Sequence, residues 1–405
     1  MSILKLALRN LLRNKLRTAL TLAAVVFGVS GIILSGGFVH DMYIQLGEAL
    51  IHSQSGHLQV ARQGYFTKGS GQPEAFRIVS PGSTRSIVAS NHEVDDVMAR
   101  LGFAGLATTG QADRPVIGEG VEAESETRLS THLRVVAGRA LNGSDRFAAM
   151  VGQGVAQALA LKPGDRMDLL VNATDGALNT LEFDVVGVFQ TFSRDYDARA
   201  VRIPLAAAQE LVGTQGATTL VVTLKRTADT ERTAHALRQQ LHANGMEIRT
   251  WTELNDFYGK TVTLYDQQFG VLQAIVLVMV VLGVGNSINI LAFERLGEFG
   301  TMMALGNRPR DVFRLILVES AMLGLVGAML GVIVGVAIAW LVSHVGIPMP
   351  PPPNANLGYL AYIRIVPSVV VLALAVGVIA TLLAGLAPAI RIARTPIVTA
   401  LQANV

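Results

Sequence analysis

Residues 269–311 read FGVLQAIVLVMVVLGVGNSINILAF and then ERLGEFGTMMALGNRPRD. The first part, Phe269 to Phe293, carries no charge and is long enough to cross a bilayer, whose core of roughly 30 Å needs about 20 helical residues. The second part is short and polar, with Arg295, Glu298, Arg308, Arg310 and Asp311, and a further apolar run follows at Ser320 to Ser343. Two crossings joined by a tight charged bend are therefore expected.

Working outward, two more uncharged runs qualify, Thr18 to Val39 and Val366 to Ile390. The composition agrees, with 51% hydrophobic and 16% charged residues against about 25% charged in soluble domains. One crossing near the start, a long polar stretch, and three crossings in succession define the layout. The expected partition is 1–17 before the membrane, spans at 18–39, 269–293, 315–343 and 366–390, a bend at 294–314, a short loop at 344–365 and a tail at 391–405.

Lys and Arg accumulate in cytoplasmic loops. Lys5, Arg9, Arg13, Lys15 and Arg17 precede the first span, Arg295, Arg308, Arg310 and Arg314 fill the bend, and Arg391 and Arg394 follow the fourth span, whereas 344–365 holds only Arg364. This places both termini in the cytoplasm and His40 to Gln268 outside. The net charge of +3 reflects that topology, and no basic stripe interleaved with aromatics points to nucleic acid. The apolar run at Thr18 is longer than a signal-peptide core, so an uncleaved anchor is expected. Ahead of it, Lys5, Arg9, Arg13 and Arg17 fall on one helical stripe opposite Leu4, Leu8, Leu11 and Leu12, as in an interfacial amphipathic helix.

The fold class expected is an α-helical membrane protein with four transmembrane helices and an inserted α+β domain of two subdomains. Within 40–268, a strand is expected at Gly56 to Val60, a helix opened by Asn91, Asp95 and Asp96 and ending near Leu101-Gly102, and a helix at Val155 to Leu161. Strands are expected at Met167 to Val171 and Leu181 to Phe189. A β-α-β unit closes the domain, with Thr219 to Leu224, Asp229 to Ala243 and Met246 to Trp251. An inner strand-rich subdomain is drawn at about 110–213. Asp41 to His52 and Asn255 to Gln268 are expected to prolong spans one and two as stalks. The chain has no cysteine, so the domain rests on its own core.

In the bend, Gly306-Asn307 suits a helix C-cap and Pro309 the first turn of the next helix. Phe299, Met302 and Met303 share one face at three- and four-residue spacing, and such Met and Phe on a cytoplasmic helix make an adaptable docking surface; a plain interfacial helix is the equal alternative. Gly327, Gly331 and Gly335 in span three, and Ala373, Gly377, Thr381 and Gly385 in span four, repeat every fourth residue, which lets helix backbones approach closely. Glu319 lies just inside span three and is expected to pair with Arg314 or Arg391.

The run Glu294 to Leu317, the Gly-rich third span and the C-terminal Ala387-Pro388-Ala389-Ile390-Arg391 with Pro396 and Ala400-Leu401 resemble the FtsX-like permease domain of ABC transporters of the MacB and LolC/LolE kind. Leu8 to Thr18 resembles the opening of the same proteins. Val151 to Gly154, Leu161 to Asp165 and Phe183 to Phe189 resemble their periplasmic core domain. The resemblance implies mechanotransmission: two permease subunits, as a homo- or heterodimer in the inner membrane, bind cytoplasmic ATPases that carry ATP-Mg, and nucleotide-driven closure is relayed to the external domains. Glu298, Phe299, Met302, Met303, Ala304 and Leu305 match the coupling helix that contacts the ATPase. Gly56 to Phe66 is similar to the LolE-like branch, which implies lipoprotein release toward a periplasmic carrier, with Phe38, Met42, Phe269 and Leu272 near the lipid chains. The alternatives are MacB-like efflux with a periplasmic adaptor and FtsX-like regulation of a cell-wall hydrolase.

No nucleotide site is expected in the chain itself, because Gly259-Lys260-Thr261 ends like a phosphate loop but lacks the required glycine where Leu254 stands. Neither a catalytic elbow nor a zinc spacing is found: His52 and His57 do not follow the i, i+4 pattern of a helical metal pair. An ATPase partner rather than an enzyme activity of its own, and no metal, is the expectation.

Overall fold

The computed structural model describes residues 13, 15–69, 73–351 and 358–402. Most of the expected amphipathic N-terminal segment lies outside them. In chain order the main elements are α1 (Lys15–Leu50), β1 (Leu58–Arg62), α2 (Pro81–Ala89), β2 (Val94–Thr108), β3 (Asp113–Val121), β4 (Arg134–Gly138), β5 (Ala148–Gly152), α3 (Gln153–Ala158), β6 (Arg166–Asn172) and β7 (Leu178–Gln190). Then follow β8 (Ala200–Pro204), α4 (Leu205–Val212), β9 (Thr219–Leu224), α5 (Thr230–Leu241), β10 (Met246–Thr250), α6 (Asp256–Glu294), α7 (Leu296–Ala304), α8 (Pro309–Val345), α9 (Pro367–Ala393) and α10 (Ile397–Gln402).

Two compact units result. One is helical, Met1–Ile44 with Thr261–Pro348 and Leu360–Val405; the other, Gln45–Lys260 with Met349–Tyr359, is the head. Among the described residues, four helices are long and apolar enough to cross a membrane, and this is a multi-pass membrane protein.

In the helical unit the core is built from Val25, Val29 and Ile33 of α1, Val284 and Ile288 of α6, Leu315 and Ile316 of α8, and Ala380 and Ala384 of α9. In hydrocarbon, association rests on van der Waals fit rather than on expulsion of water, and the glycines supply that fit. A Cβ on Gly331 would sit 2.7 Å from Cβ of Val29, one on Gly327 2.9 Å from Cβ of Val25, and one on Gly335 3.1 Å from Cα of Ser30. Gly377 faces Val29 in the same way, at 2.6 Å, and Gly385 faces the Ser320 hydroxyl. The periodic glycines therefore pair helices within one chain, with α1 as the common neighbour of α8 and α9.

The head is a single mixed sheet in the order β10-β1-β9-β2-β3-β8-β5-β7-β4, with β6 bridging β2 and β7. The long strand β2 joins its halves: Val94–Arg100 pair with β9, and Arg100–Thr108 pair with β3. One core lies under α3 and α4, with Leu101, Leu169, Phe183 and Ile203 fully buried. A second lies under α2 and α5, with Leu58, Val60, Leu220 and Leu237, and a smaller cluster gathers Val121, Leu141, Met150 and Phe189.

One expectation differs from this. Asn91, Asp95 and Asp96 do not open a helix; the segment is β2. The acidic cap-like signal is used locally, since Asp96 accepts from the Val97 amide at 2.8 Å, and pairing with β9 on one side and β3 on the other overrides the local preference.

Candidate functional site in the bend between the second and third spans

Helix α6 ends at Glu294, and Arg295 breaks it with φ −99°, ψ 13° before α7 begins. The far end of α7 closes on Gly306, whose φ of +98° lies where L-residues are strained. There the Gly306 amide donates to the Met303 carbonyl and the Asn307 amide to that of Met302, both at 3.1 Å. Pro309 then starts α8, with Asp311 accepting from the Arg308 amide at 3.0 Å. The cap and restart are those the sequence indicates.

The structure divides the six residues of the expected docking set. Phe299, 1% exposed, and Met303 are buried among Ala292, Val312 and Ile316, and Met302 is half-buried. The outward face is Glu298, Thr301, Ala304 and Leu305, the last 81% exposed. The apolar face of a short helix turns to the helices that can bury it, and periodicity located that stripe without deciding what covers it. Helix α10 also packs against α7, with Ala400 fully buried. The tail motif Pro396 with Ala400-Leu401 was read from resemblance alone, with no sequence signal for this contact.

A charge relay fixes the buried side. Arg295 Nη1 lies 3.2 and 3.0 Å from the two carboxylate oxygens of Glu319, and its Nε donates to Glu298 at 3.0 Å. Its guanidinium also lies over the Phe299 ring, 5.0 Å from the centroid, a cation–π arrangement. The other oxygen of Glu298 pairs with Arg13. Burial works against ionising Glu298, but Arg13 and Arg295 outweigh it and hold the carboxyl below its usual range. The expected partner of Glu319 is therefore corrected: it is Arg295, which approaches from the chain break, while Arg391 instead covers the Phe293 ring at 5.0 Å.

At the other end of the same unit, Asp41 is fully buried and accepts from Arg364 Nε at 2.7 Å and from the Tyr362 amide at 2.8 Å. Ser343 ties the same segment, accepting from the Ile363 amide at 3.0 Å. The sequence used Arg364 only for topology; an acidic residue just past an apolar span was the signal for its partner. Phe38, Met42 and Phe269 are half-buried and Leu272 is 44% exposed. They lie on helices that meet through Tyr43, whose hydroxyl donates to Asp266 at 2.7 Å and lies 3.2 Å from the Val262 carbonyl.

Inside the head, α1 runs into a π-turn, Ile51–Ser55, that ends at Gly56 with φ +63°. Helix-terminal carbonyls lack intrahelical donors, and two buried arginines supply them: Arg202 Nη2 donates to the Ser53 carbonyl at 2.8 Å and Arg100 to that of Gln54. Both guanidiniums are neutralised by Glu126, at 2.8 Å from Arg100 and 3.0 Å from Arg202, and by Glu119, 3.2 Å from Arg202. Burial opposes ionising Glu126, but the two arginines keep its carboxyl low. Among the described residues no group of three or more His, Asp or Glu side chains has metal-binding geometry.

Four apolar helices, a charged bend and an α+β head make up a membrane permease architecture. A family description, the MacB-like periplasmic core domain, matches residues 18–240, and a second, the FtsX-like permease C-terminal region, matches 270–397. The chain belongs to this family. It is 23% identical to the macrolide export ATP-binding/permease protein MacB of Wolinella succinogenes over 85% of this chain and 54% of that protein. It is also 24% identical to an uncharacterized ABC transporter permease of Methanocaldococcus jannaschii over 51% of each. It is 23% identical to the lipoprotein-releasing system transmembrane protein LolC of Xylella fastidiosa over 58% of this chain and 59% of that protein. The chain thus spans about half the length of the first of these relatives. Among solved structures, the periplasmic region of MacB from Actinobacillus actinomycetemcomitans covers 53% of the chain at 12% identity, with a TM-score of 0.37.

Proposed function

We propose that the chain is the permease subunit of an ABC transporter that works by mechanotransmission. Both termini and the bend face the cytoplasm, and the head lies outside the inner membrane. The observation that carries this reading is the geometry of α7: a capped helix between two spans, apolar on its inner face and open at Glu298, Thr301, Ala304 and Leu305. That open face is the contact for a cytoplasmic ATPase, which would hold ATP-Mg; a second permease subunit completes the transporter.

The cargo proposed is a lipoprotein released from the outer leaflet toward a periplasmic carrier. Phe38, Met42, Phe269 and Leu272 on the outer parts of α1 and α6 offer apolar surface for acyl chains. The longer match to MacB, 85% of the chain against 58% for LolC, favours a second reading, efflux of small molecules or peptides through an adaptor.

Replacing Ala304 and Leu305 with Asp should leave the chain inserted and folded, because both side chains are exposed, yet reduce co-purification of an ATPase at least tenfold. Undiminished co-purification overturns the docking assignment. Photoreactive residues at Phe38 and Phe269 in cells separate the cargo readings: adducts with lipoprotein support release, and adducts with a small molecule support efflux.

A further inference from the structure

The head holds a cavity of about 150 Å³ that has no part in the transport role proposed above. It lies among the short helix Ala123–Leu129, the sheet-edge strand β4 and the residues that follow β4. Leu133, Val135, Leu141 and Met150 give it apolar walls, and Glu126 and Arg202 supply the polar part of the lining. Val135 and Thr127, which also line it, are exposed at the surface, so a ligand can enter without unfolding the head.

The polar lining is engaged within the protein. Arg202 directs Nε to Glu119, Nη1 to Glu126 and the Ser130 hydroxyl, and Nη2 to the Ser53 carbonyl and the Tyr196 hydroxyl. Glu126 also accepts from Arg100 at 2.8 Å and from Ser130 at 2.9 Å, and the Thr127 hydroxyl donates to the Ala123 carbonyl at 2.8 Å. A trapped water needs about two to four polar partners, and a charged ligand needs an opposite charge to offset its desolvation. With its polar groups already paired, this lining offers a ligand mainly van der Waals contact, and an apolar space of about 150 Å³ accommodates a benzene ring. We propose that the cavity binds one uncharged apolar group of the size of a six-membered ring, and that its occupant tightens the hold of Arg202 and Arg100 on the turn after α1. An occupant keeps water from the Arg202–Glu126 pair, and an ion pair strengthens as its surroundings dry. The same guanidinium grips the Ser53 carbonyl while Arg100 grips that of Gln54, so the effect reaches the π-turn directly. The site stands apart from the proposed contact between α7 and an ATPase and holds without it.

The test uses the full chain in lipid nanodiscs with isotope-labelled methionine methyl groups and toluene as the ligand. Met150 reports from the cavity wall, and Met279, 67% exposed on α6, reports toluene dissolved in lipid. Toluene should shift the Met150 resonance saturably while Met279 responds in proportion to concentration. Half-saturation should fall below about 1 mM, which for seven carbons needs under half the binding per heavy atom of the best small ligands. Benzoate and benzylammonium, of similar size but charged, should leave Met150 unmoved at tenfold higher concentration. Ala140→Leu, at a residue that lines the cavity, should fill the space and abolish the saturable shift at an unchanged or raised melting temperature. Ala123→Leu, at another lining residue, serves the same end should the first variant fail to fold. In hydrogen exchange, toluene should slow the Gly56 amide, which donates to the Ile51 carbonyl at 3.0 Å, at least threefold more than the Leu237 amide of the second core. A Met150 response that never saturates, that benzoate reproduces, or that survives filling of the cavity overturns the site. Equal slowing at Gly56 and Leu237 overturns its link to the turn.

Discussion

Two of the buried ion assemblies among the described residues, one in the bend and one in the head, are built differently. In the bend, Arg295 is shared between two carboxylates, Glu319 and Glu298, and the partly exposed Glu298 also pairs with Arg13. In the head, two guanidiniums and two carboxylates interlock: Arg100 and Arg202 with Glu119 and Glu126. The Tyr196 hydroxyl donates to Glu119 at 2.8 Å, and the arginines also donate to the Ser53 and Gln54 carbonyls of the π-turn that follows α1. The head network is buried, with both arginines and Glu126 almost fully enclosed, and is suited to anchoring. The bend network is open on one side, where Glu298 is partly exposed.

This difference is broken most severely in the head. Arg202→Met would leave Glu119 short of a charge partner and the Ser53 carbonyl without its donor; truncating one member of a buried pair costs about 3 to 5 kcal/mol. Hydrogen exchange at the β8 amides of the full chain should accelerate by at least a hundredfold. An acceleration under tenfold would show that the network is not the anchor inferred from its geometry.

Acidification tests the same anchor from its neighbour. His57 accepts from the Leu224 amide through Nδ1 at 3.2 Å and meets Thr227 through Nε2 at 3.1 Å, and its ring lies edge-on to His52, 5.7 Å away. Burial is the main cause that pushes His57 down to about 4, with the charge of His52 adding to it and Glu48 and Asp95 opposing it. His132, stacked on His52, is pushed down as well, again chiefly by burial. A histidine whose folded value is depressed binds its proton more readily when unfolded. Its contribution to stability is therefore complete above about pH 6.5 and is lost as pH falls toward 4, by at most about 3 kcal/mol. Exchange in the head should rise over that window and flatten in His57→Gln, while amides of α8 should not respond; equal sensitivity in α8 would place the titration elsewhere.

The smallest expected effect sharpens the packing half of the comparison. Gly331→Val overpacks the α1–α8 contact and should cost about 1 to 3 kcal/mol. Gly283→Ala, at a helix position with nothing within 4 Å, should be neutral or slightly stabilising through helix propensity. Thermal unfolding of the full chain in lipid checks both, and equal effects would deny that the glycine stripe of α8 is a contact surface.

Much of this was legible in the residues. Apolar length gave the helices, the Gly306 and Pro309 signals gave the limits of α7, and four-residue spacing gave the close-packed glycines. Each depends on a local property that a short window contains: transfer free energy, backbone φ preference, or the absence of a side chain. The side of α7 that faces out was not legible, because a stripe of Phe and Met looks the same whether a partner or the protein's own helices bury it. Nor was Glu319's partner, since pairing in hydrocarbon depends on which cation the folded chain brings within reach, and Arg295 reaches it only through the break before α7. The strand Val94–Thr108 makes the same point: its acidic start reads as a helix cap, and only the hydrogen-bonding neighbours β9 and β3, distant in sequence, decide otherwise. Sequence by itself determined which segments enter the membrane and where the chain must turn. Tertiary structure alone decided which buried charges meet, because electrostatic pairing is set by separations of a few ångströms that no local pattern encodes.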